Sequence, residues 1–504
     1  MSNQYNAFDT LISGIYENKL AKKTAYIDEF SSYTFEDLQE SVEQVSYLLH
    51  DKGIVRHDRM LIAMLDRFSL PVTFLACIRA GVIPILSNTL LTQNDYQYML
   101  QDSDSRGVFV SPELQSLFSN LKSKLSFNQL ITEDEINTAI RSEKKERTQM
   151  VWQGPDDPCF WLYSSGSTGR PKGTVHKQSS MSETAKLYAL PTLNLKNSDI
   201  IFSAAKLFFA YGLGNSLSFP LSVGATTILM SERPTPSSVF ERLITHQPTV
   251  FFGVPTLYAA LLADSNFPSA EQLNLRICVS AGEPLPEDIG LRWKEKTGLD
   301  IIDGIGSTEM LHIFLSNQAG RVKYGTTGVA VNGYDLLIAD ENGEEVDCDS
   351  IGDLFVKGPT AALEYWNQPE KTQSTFKDGW TKTGDKYKKD SSGFYTYCGR
   401  SDDMLKVGGI YVSPTEVENC LMKHPAVFEA AIVGRKDEAG LIKPEGFVVL
   451  NEGHQADATL MEQLQSYVKE TLAPYKYPRW LHFVQDLPKT ATGKIQRFKL
   501  RSKQ

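Results

Sequence analysis

Apolar runs and amphipathic stretches alternate over about the first 150 residues of the chain. The residues Thr34-Phe-Glu-Asp37 have the pattern of a capping box, which predicts a helix that begins there and runs towards Leu49. The segments that follow predict strands at 59–65, 82–86 and 107–110 and helices at 70–80 and 92–100. Strands and helices that alternate in this way are typical of a parallel sheet with helices on its faces.

The alternation continues beyond a charged stretch at 141–147, which we interpret as a solvated connection. Buried strands are predicted at 159–162, 225–230, 249–253, 276–280 and 300–303. Between about 325 and 397, short alternating segments separated by glycine turns indicate an antiparallel β region. After a polar break at 399–403, predicted helices and strands are mixed in a final block of about 100 residues, which indicates a small α+β lobe.

Length, charge and cysteine usage narrow the class of protein. A chain of 504 residues is too long for one core and should fold into two or more domains. The formal net charge of −10 argues against sequence-independent nucleic-acid binding, which requires a basic surface. Because we find neither a secretory leader nor an apolar run of about 18 residues, we expect a cytoplasmic protein without a membrane span. The six scattered cysteines predict reduced, mostly buried thiols and not a metal cluster.

The segment Tyr163-Ser-Ser-Gly-Ser-Thr-Gly-Arg-Pro-Lys-Gly173 carries the densest candidate chemistry. Its glycines allow backbone N–H groups to converge on an oxyanion, its hydroxyls add donors, and Arg170 and Lys172 add positive charge. The alternative is a plain Ser/Gly linker. The spacing of a Walker A loop is absent. We interpret the segment as a polyphosphate-binding loop with the candidate residues Ser164, Ser165, Gly166, Ser167, Thr168, Gly169 and Lys172.

Further short motifs follow this loop, each of them weak when taken alone. In chain order they are Ser280-Ala-Gly-Glu-Pro284, Gly304-Ile-Gly-Ser-Thr-Glu309, Thr383-Gly-Asp385 in a predicted turn, Gly399-Arg400, Lys406-Val-Gly-Gly409 and Thr492-Gly-Lys494. In this order, and over nearly the whole chain, they resemble the superfamily of adenylate-forming enzymes. That superfamily includes acyl-CoA and aryl-CoA ligases, peptide-synthetase adenylation domains and beetle luciferases. Its members join a carboxylate to ATP as an acyl-adenylate and then transfer the acyl group to a thiol.

The resemblance implies a fold and a division into domains. The expected fold is α/β, with a large N-terminal domain of two doubly wound α/β subdomains and a β-barrel-like subdomain. A small, mobile α+β C-terminal domain completes it. The implied boundaries are 1–401 for the adenylation domain, which binds ATP and the acid, and 402–504 for the mobile domain, with Asp402 as the hinge.

The resemblance also assigns roles to residues that match the motifs. Glu309 resembles the magnesium-associated glutamate, Thr308 lies beside the α-phosphate, and Lys172 belongs to the phosphate loop. Asp385 would accept hydrogen bonds from the ribose hydroxyls, an acceptor-only task that suits a carboxylate, and Arg400 would contact ribose and phosphate. The residues that resemble the adenine-site wall are Ser280, Ala281, Gly282, Glu283 and Asp303. The implied cofactors are ATP, Mg²⁺ and coenzyme A.

In the implied mobile domain, Lys494 resembles the catalytic lysine that bridges the carboxylate and the α-phosphate. Taken alone, it reads as one solvated lysine in a basic tail. Rotation about the hinge would bring the face of Lys406, Gly408 and Gly409 to the site for the thiol step. One departure from the family pattern is Lys382, which stands before Thr-Gly-Asp where many members have arginine.

Two segments, 206–215 and 306–316, resemble the benzoate-CoA ligase branch specifically. By that similarity a flat slot would be lined by Ala210, Tyr211, Phe219, Gly306, His312 and Ile313. The residue types agree with an aryl acid, because Ala210 and Gly306 leave room for a ring while Tyr211 and Phe219 supply ring contacts. The competing interpretations are an aromatic core stripe at 208–211 and a structural role for His312.

The leading hypothesis is an ATP-dependent aryl-CoA ligase that acts on benzoate or a substituted benzoate. Alternatives are delivery to the phosphopantetheine of a carrier protein and a ligase for cinnamate or a medium-chain acid. A luciferase-like oxygenase and a non-catalytic relative are disfavoured, the latter because both Glu309 and Lys494 are present. We expect a monomer or a homodimer.

Overall fold

A computed structural model describes residues 4–123, 125, 127–142, 148–164, 171–407, 410–438, 441–489 and 495–501, and for 406, 410, 411 and 474 it describes the backbone alone. Much of the predicted charged connection, 143–147, lies outside these ranges.

The first sheet has seven strands, of which the central ones are parallel and are built from the buried apolar runs of the N-terminal region. At one edge, Lys172–Lys177 runs antiparallel to both of its neighbours, so the edge strand Glu364–Tyr365 again runs in the direction of the parallel block. Across the sheet the strands are Glu364–Tyr365, Lys172–Lys177, Pro158–Ser164, Ile83–Leu86, Arg59–Ala63, Gly107–Val110 and Gln129–Thr132. The edge strand Glu364–Tyr365 comes from a segment nearly 200 residues further along the chain, so this edge joins distant parts of the sequence.

The second sheet has nine strands and a parallel centre of six. Across the sheet the strands are Val329–Ala330, Ile313–Ser316, Ile301–Gly306, Ile277–Ala281, Val250–Gly253, Ile200–Ser203, Thr226–Ile228, Thr24–Ile27 and Ser32–Thr34. The carboxyl ends of its parallel strands lead into the segments that carry the candidate site, as is usual for ligand sites in open α/β sheets.

Three smaller sheets complete the described part of the chain. An antiparallel sheet is formed by Asp335–Ala339, Gly352–Lys357, Trp380–Lys389, Phe376–Lys377 and Tyr395–Arg400. Further along, Leu405–Val407 pairs with Ile410–Val412, and a mixed sheet contains Val427–Lys436, Ile442–Leu450 and Trp480–Phe483. The predicted α/β fold with an antiparallel region and a smaller C-terminal part is confirmed.

Helices cover the faces of the sheets. The α-helices are Ala7–Glu17, Phe35–Asp51, Ser69–Arg79, Gln93–Asp102, Pro112–Lys122, Glu133–Arg141, Ser180–Thr184, Ala210–Leu213, Phe219–Val223, Pro236–His246, Pro255–Ala263, Glu287–Thr297, Pro369–Thr375, Pro414–Met422, Ala458–Thr471 and Arg497–Arg501. The π-helical turns are Ala185–Ala189 and Gly214–Ser218, and the 3₁₀ turns are Ala270–Gln272 and Pro474–Lys476. None of the described helices is long and apolar enough to cross a membrane.

Several local predictions can be compared directly with the structure. The capping box is present, since the Thr34 side chain accepts from the Asp37 N–H and Asp37 accepts from the Thr34 N–H. The predicted turn at Thr383-Gly-Asp385 is wrong. These residues lie within the strand Trp380–Lys389, where the pairing with Gly352–Lys357 shifts register and forms an irregularity. The six cysteines are free, and all but Cys348 are buried.

Candidate active site

The strands on either side of the predicted phosphate loop form an antiparallel hairpin. Ser164 ends the first strand and is paired with Lys172, which begins the second. The tip between them, with the candidates Ser165, Gly166, Ser167, Thr168 and Gly169, belongs to the part of the chain that the structure does not describe. The hairpin therefore fixes where the loop begins and ends and brings the Lys172 ammonium to its base.

Lys172, Glu309 and Tyr365 converge at this position. The Nζ of Lys172 lies 3.7 Å from Oε1 of Glu309 and 4.1 Å from the centre of the Tyr365 ring. The Tyr365 hydroxyl donates a hydrogen bond of 2.7 Å to the same Glu309 oxygen. Lys172 and Tyr365 lie on neighbouring strands of the first sheet, and Glu309 lies in the turn after the strand Ile301–Gly306 of the second sheet. Only the tertiary fold brings the three residues together.

Burial acts against both charges of this cluster, and their neighbours decide the direction of each pKa shift. Burial raises the pKa of the Glu309 carboxyl, but Lys172 and the Tyr365 hydroxyl outweigh it and hold the pKa below its ordinary value. The pKa of Lys172 is lowered chiefly by burial, and also by the nearby cations Lys371 and Arg400, whereas Glu309 opposes the shift. Several cations gathered around one ionised carboxylate form a site that suits a polyanion.

The backbone of the turn that carries Thr308 and Glu309 is held from two sides. The buried His176 lies 2.9 Å from the Thr308 carbonyl, which can only accept, so Nε2 of His176 is the protonated nitrogen. Burial lowers the pKa of His176 to about 4, so its ring is neutral at physiological pH. On the other side, the Ala362 N–H donates to the Glu309 carbonyl at 2.8 Å.

Asp385 and Arg400 face each other on neighbouring strands. They are direct cross-strand partners, and a guanidinium nitrogen of Arg400 lies 3.0 Å from Oδ1 of Asp385. Burial opposes the charge of Arg400, but Asp385 and Glu309 both act to raise its pKa. Glu309 thus acts to raise the pKa of both Arg400 and Lys172.

The candidate adenine-site wall gathers at the ends of two parallel strands of the second sheet. Ser280 is paired with Asp303 and Ala281 with Gly304, and Gly282 and Glu283 follow in the adjoining turn. Asp303 is buried, and this burial raises the pKa of its carboxyl well above the ordinary value, although the Ser280 hydroxyl opposes the shift. Asp303, in this candidate wall, lies on the strand Ile301–Gly306, and the turn that carries Thr308 follows at the end of the same strand.

An aromatic cluster surrounds His312. The ring centre of His312 lies 4.4 Å from that of Phe219 and 5.6 Å from those of both Tyr211 and Tyr188. Its Nε2 lies 3.2 Å from the side-chain oxygen of Asn215. Burial lowers the pKa of His312 to about 3, so the ring is neutral. Burial likewise raises the pKa of Tyr211 well above its ordinary value. The cluster is uncharged and mostly apolar, which suits an aromatic ring.

Close backbone packing forms part of this cluster. Gly306 is paired with Ile313, and a Cβ at Gly306 would lie 2.4 Å from the His312 carbonyl oxygen. A Cβ at Gly214 would lie 2.3 Å from the His312 ring. Leu311 has φ of +66°, and the His312 N–H donates to the Met310 carbonyl at 2.8 Å across it, which makes a strained γ-turn. This turn aims His312 at Phe219 and Tyr211.

The structure brings most of the described candidates together, while a few of the predicted site residues lie outside the described part of the chain. Ala210 is half-buried and begins the helix Ala210–Leu213, next to Tyr211. Asp402 is exposed in the polar break between the strands Tyr395–Arg400 and Leu405–Val407. Lys494, Gly408 and Gly409 lie outside the described residues, and only the backbone of Lys406 is described.

Five residues of the site were missed by sequence reasoning, namely His176, Tyr188, Asn215, Tyr365 and Lys371. Asn215 closes the motif 206–215 and could have been found there. Tyr365 and Lys371 carry no local signal, because strand pairing across nearly 200 residues brings their segment to the site.

Two family models match the chain. The model described as AMP-binding enzyme matches residues 17–366, and that described as AMP-binding enzyme C-terminal domain matches residues 416–494. Benzoate–CoA ligase of Thauera aromatica is 54% identical over 99% of this chain and 96% of its own length. The 4-hydroxybenzoate–CoA/benzoate–CoA ligase of Rhodopseudomonas palustris is 44% identical over 99% and 94%.

Two solved structures are similar along the whole chain. A benzoate CoA ligase from Burkholderia xenovorans LB400 is 49% identical, with a TM-score of 0.92 over 99% of this chain and 100% of its own. The anthranilate CoA ligase AuaEII in complex with anthranoyl-AMP is 39% identical, with a TM-score of 0.94 over 100% and 98%.

Proposed function

The chain belongs to the AMP-binding enzyme family, and from this premise we propose that it is an ATP-dependent aryl-CoA ligase acting on benzoate or a close derivative. In the first step a carboxylate oxygen of the acid attacks the α-phosphorus of ATP, and pyrophosphate leaves. In the second, the thiol of coenzyme A attacks the acyl carbon, AMP leaves, and the thiol proton passes to solvent.

One observation carries the proposal: an ionised cluster and a neutral aromatic cluster adjoin on the same strand and turn. Glu309 belongs to the ionised cluster and His312, three residues further on, belongs to the aromatic cluster. A site that joins a triphosphate to an aromatic carboxylate needs cationic and apolar surfaces in this proximity.

In the proposed nucleotide half, Lys172 and the loop that precedes it hold the β- and γ-phosphates. Asp385 accepts from the ribose hydroxyls, and Arg400 contacts ribose and phosphate. The adenine ring lies against the residues Ser280, Ala281, Gly282, Glu283 and Asp303. Because Lys172 and Arg400 carry their charges on the protein, they offset the repulsion between the anionic acid and ATP.

The single ionised carboxylate of Glu309 also fits Mg²⁺. Among the described residues no three His, Cys, Asp or Glu side chains converge as a dedicated metal cage. Mg²⁺ in nucleotide enzymes is bound by one or two carboxylates together with phosphate oxygens, so one carboxylate suffices. Bound with the nucleotide, the ion would supply neutralisation of phosphate charge, while Glu309 would hold it from the protein side.

In the proposed acid half, the ring lies against Tyr211, Phe219, His312 and Ile313, with Ala210 leaving space for it. Gly306 contributes through its backbone, which packs directly against the His312 carbonyl. The neutral state of His312 and Tyr211 suits an uncharged ring, whose carboxylate then points to the cationic cluster. We further propose that residues 402–504 rotate about Asp402. Lys494 serves the first step, and the face of Lys406, Gly408 and Gly409 serves the second.

Pyrophosphate release with a panel of acids tests the first step and the substrate class. The panel contains benzoate, hydroxybenzoates, aminobenzoates, cinnamate and hexanoate. We expect benzoate to give the highest kcat/KM, because the pocket is aromatic on several sides. Equal or better turnover of hexanoate would contradict an aryl-acid enzyme.

The thiol acceptor is tested separately. Thioester formation is measured with free coenzyme A and with a phosphopantetheinylated carrier protein at equal thiol concentration. We expect free coenzyme A to be the substrate, as in the ligases named above. Transfer to the carrier protein alone would replace the proposal by a carrier-loading function, and oxygen consumption with benzoate and ATP would replace it by an oxygenase.

A further inference from the structure

A short segment, residues 360–366, contacts both elements that carry the charges of the nucleotide half. Its Leu363 and Trp366 N–H groups donate to the carbonyls of Val175 and Gly173, each at 2.8 Å. Its Ala362 N–H donates to the Glu309 carbonyl, also at 2.8 Å. We call this segment the strap. The strap is hydrogen-bonded to the strand of Lys172 on one side and to the turn of Glu309 on the other.

The strap is further anchored at its two ends. The Thr360 hydroxyl donates to the Met310 carbonyl at 2.8 Å, and the Trp366 indole N–H donates to the Asp102 carbonyl at 2.9 Å. The Trp366 ring also packs against Trp161, with ring centres 4.5 Å apart. Tyr365 is 3% exposed, so its side chain has one well-defined position between Lys172 and Glu309.

The geometry around Tyr365 separates the two charges. The Lys172 to Glu309 distance of 3.7 Å exceeds a hydrogen bond, whereas the Tyr365 hydroxyl lies 2.7 Å from Glu309 and its ring 4.1 Å from Lys172. The Tyr365 hydroxyl therefore donates a hydrogen bond to the Glu309 carboxylate, and the face of its ring makes a cation–π contact with the Lys172 ammonium. The two charges form an ion pair whose separation of 3.7 Å is longer than a normal hydrogen bond.

We propose that Tyr365 is a positioning residue that holds the Glu309 carboxylate and the Lys172 ammonium apart, so that both remain available to the metal-bound nucleotide. The inference rests on the proposed function, because it assigns the nucleotide to this cluster. Without the hydroxyl, Glu309 loses its nearest donor and closes onto Lys172. The resulting ion pair has to be broken each time ATP and Mg²⁺ bind.

The test compares Tyr365→Phe, which keeps the ring and removes the hydroxyl, with Tyr365→Leu, which removes both. Benzoate-dependent exchange of pyrophosphate into ATP is measured against Mg²⁺ and ATP concentration. Binding of a non-hydrolysable ATP analogue, with and without Mg²⁺, is measured by calorimetry. Tyr96→Phe is the matched control, since it removes a buried hydroxyl bonded to the Asn88 carbonyl, outside this cluster.

For Tyr365→Phe we expect the Mg²⁺ half-saturation and the Kd of the analogue with Mg²⁺ to rise about tenfold to a hundredfold, the range for losing a hydrogen bond to a charged group. Tyr365→Leu should add a further factor of about five from the lost ring face. The KM for benzoate should stay within about threefold of wild type, because the Tyr365 hydroxyl bonds Glu309 and its ring faces Lys172, on the charged side of the shared turn.

A double-mutant cycle separates this role from a merely structural one. In a Glu309→Gln background, Tyr365→Phe should change Mg²⁺ half-saturation less than twofold, because the carboxylate through which it acts is gone. Additive effects, or a Tyr365→Phe variant that melts like Tyr96→Phe and binds the analogue with wild-type affinity, would overturn the proposal.

Two controls keep the outcomes distinct. If Tyr365→Phe melts below the assay temperature, Tyr365→His takes its place. That variant keeps a ring and a donor, so Mg²⁺ half-saturation should stay within about threefold of wild type, and a rise like that expected for Leu would overturn the proposal. Wild-type exchange without any acid dependence would refute the proposed function, while analogue binding would still test Tyr365.

Discussion

The nucleotide half and the aromatic pocket bury ionisable side chains in opposite ways. At Glu309, burial raises the pKa, yet Lys172 and Tyr365 outweigh it and the carboxylate stays charged. At His312, burial dominates, and the pKa falls to about 3. The two residues are three positions apart in the sequence, and both are largely screened from solvent, with the Glu309 side chain 17% exposed and His312 2% exposed.

The difference lies in the partners. Glu309 faces an ammonium and a phenol, whereas His312 faces aromatic rings and the amide of Asn215. A buried group keeps its charge where a countercharge offsets the lost hydration, and it becomes neutral where none is present. In the proposed site, one short turn thereby presents a charged surface to the triphosphate and an uncharged one to the aromatic ring.

The largest expected effect is on the charged side and concerns Lys494. Lys494→Ala should slow adenylate formation from benzoate and ATP by about 10³-fold, since it removes the cation that we propose to bridge the carboxylate and the α-phosphate. Thioester formation from supplied benzoyl-adenylate should remain near wild type. Both steps are followed by rapid quench, with Lys499→Ala as the control. Equal damage to both steps contradicts the assigned role.

The substitution Glu309→Gln removes the carboxylate charge with little change of shape, and so tests the charged side of the turn alone. Glu309→Gln should lower the rate of adenylate formation by about 10²-fold and leave the KM for benzoate within about threefold. The exposed carboxylate of Glu364, on the strand beside Lys172–Lys177, provides the matched control Glu364→Gln. A pre-steady-state rate like that of the control would mean that the Glu309 charge plays no part.

A substitution in the aromatic cluster should affect the use of benzoate more than the use of ATP. His312→Ala removes a ring that contacts Phe219 and Tyr211, so kcat/KM for benzoate should fall about 10-fold to 100-fold. The KM for ATP should stay within about threefold. Steady-state kinetics with each substrate varied in turn checks this, and His50→Ala, at an exposed position, is the control. Equal losses for ATP and benzoate would break the division into two halves.

The smallest effect is on stability as a function of pH. The folded-state pKa of His312 is about 3 and that of His176 about 4, below the unfolded value near 6.5. As the pH falls below 6.5 the unfolded chain therefore binds protons first, and stability present above 6.5 is lost towards pH 3 to 4. Between pH 7 and 5.5 each histidine should reduce the free energy of unfolding by about 1 kcal/mol.

Urea unfolding at the two pH values measures this reduction. A variant with His176→Gln should be less sensitive to the pH change by about 1 kcal/mol, whereas His50→Gln should behave like wild type. Identical pH dependence in wild type and the His176 variant would mean that this histidine is not held neutral by the fold.

The sequence predicted the parts of the fold that local physics determines. The capping box at Thr34 and the apolar runs of both parallel sheets appear where their patterns indicate them. Elements that depend on pairing between distant segments were not predicted. The edge strand with Tyr365 is one of them, because a strand of two residues is too short to show a periodic pattern. The γ-turn at Leu311 also escaped, since leucine does not favour positive φ and the surrounding packing imposes it.

The same contrast applies to the site. Asp385 and Arg400 were recognisable from their motifs, and the structure pairs them directly. Tyr188 and His176 were not, because each is fully buried and contributes through a contact with a residue more than 100 positions away. The predicted turn at Thr383-Gly-Asp385 failed because an irregularity within a strand uses the same residue types as a loop.

The missing side chains at Gly306 and Gly214 restrict how this enzyme could be redirected to bulkier acids. Both positions lie against His312 with no room for a methyl group, so the width of the pocket is fixed by main chain there. Engineering for a naphthoate or a long ring substituent therefore has to trim Phe219, Tyr211 or His312. Libraries that vary the two glycines should yield inactive or unfolded clones.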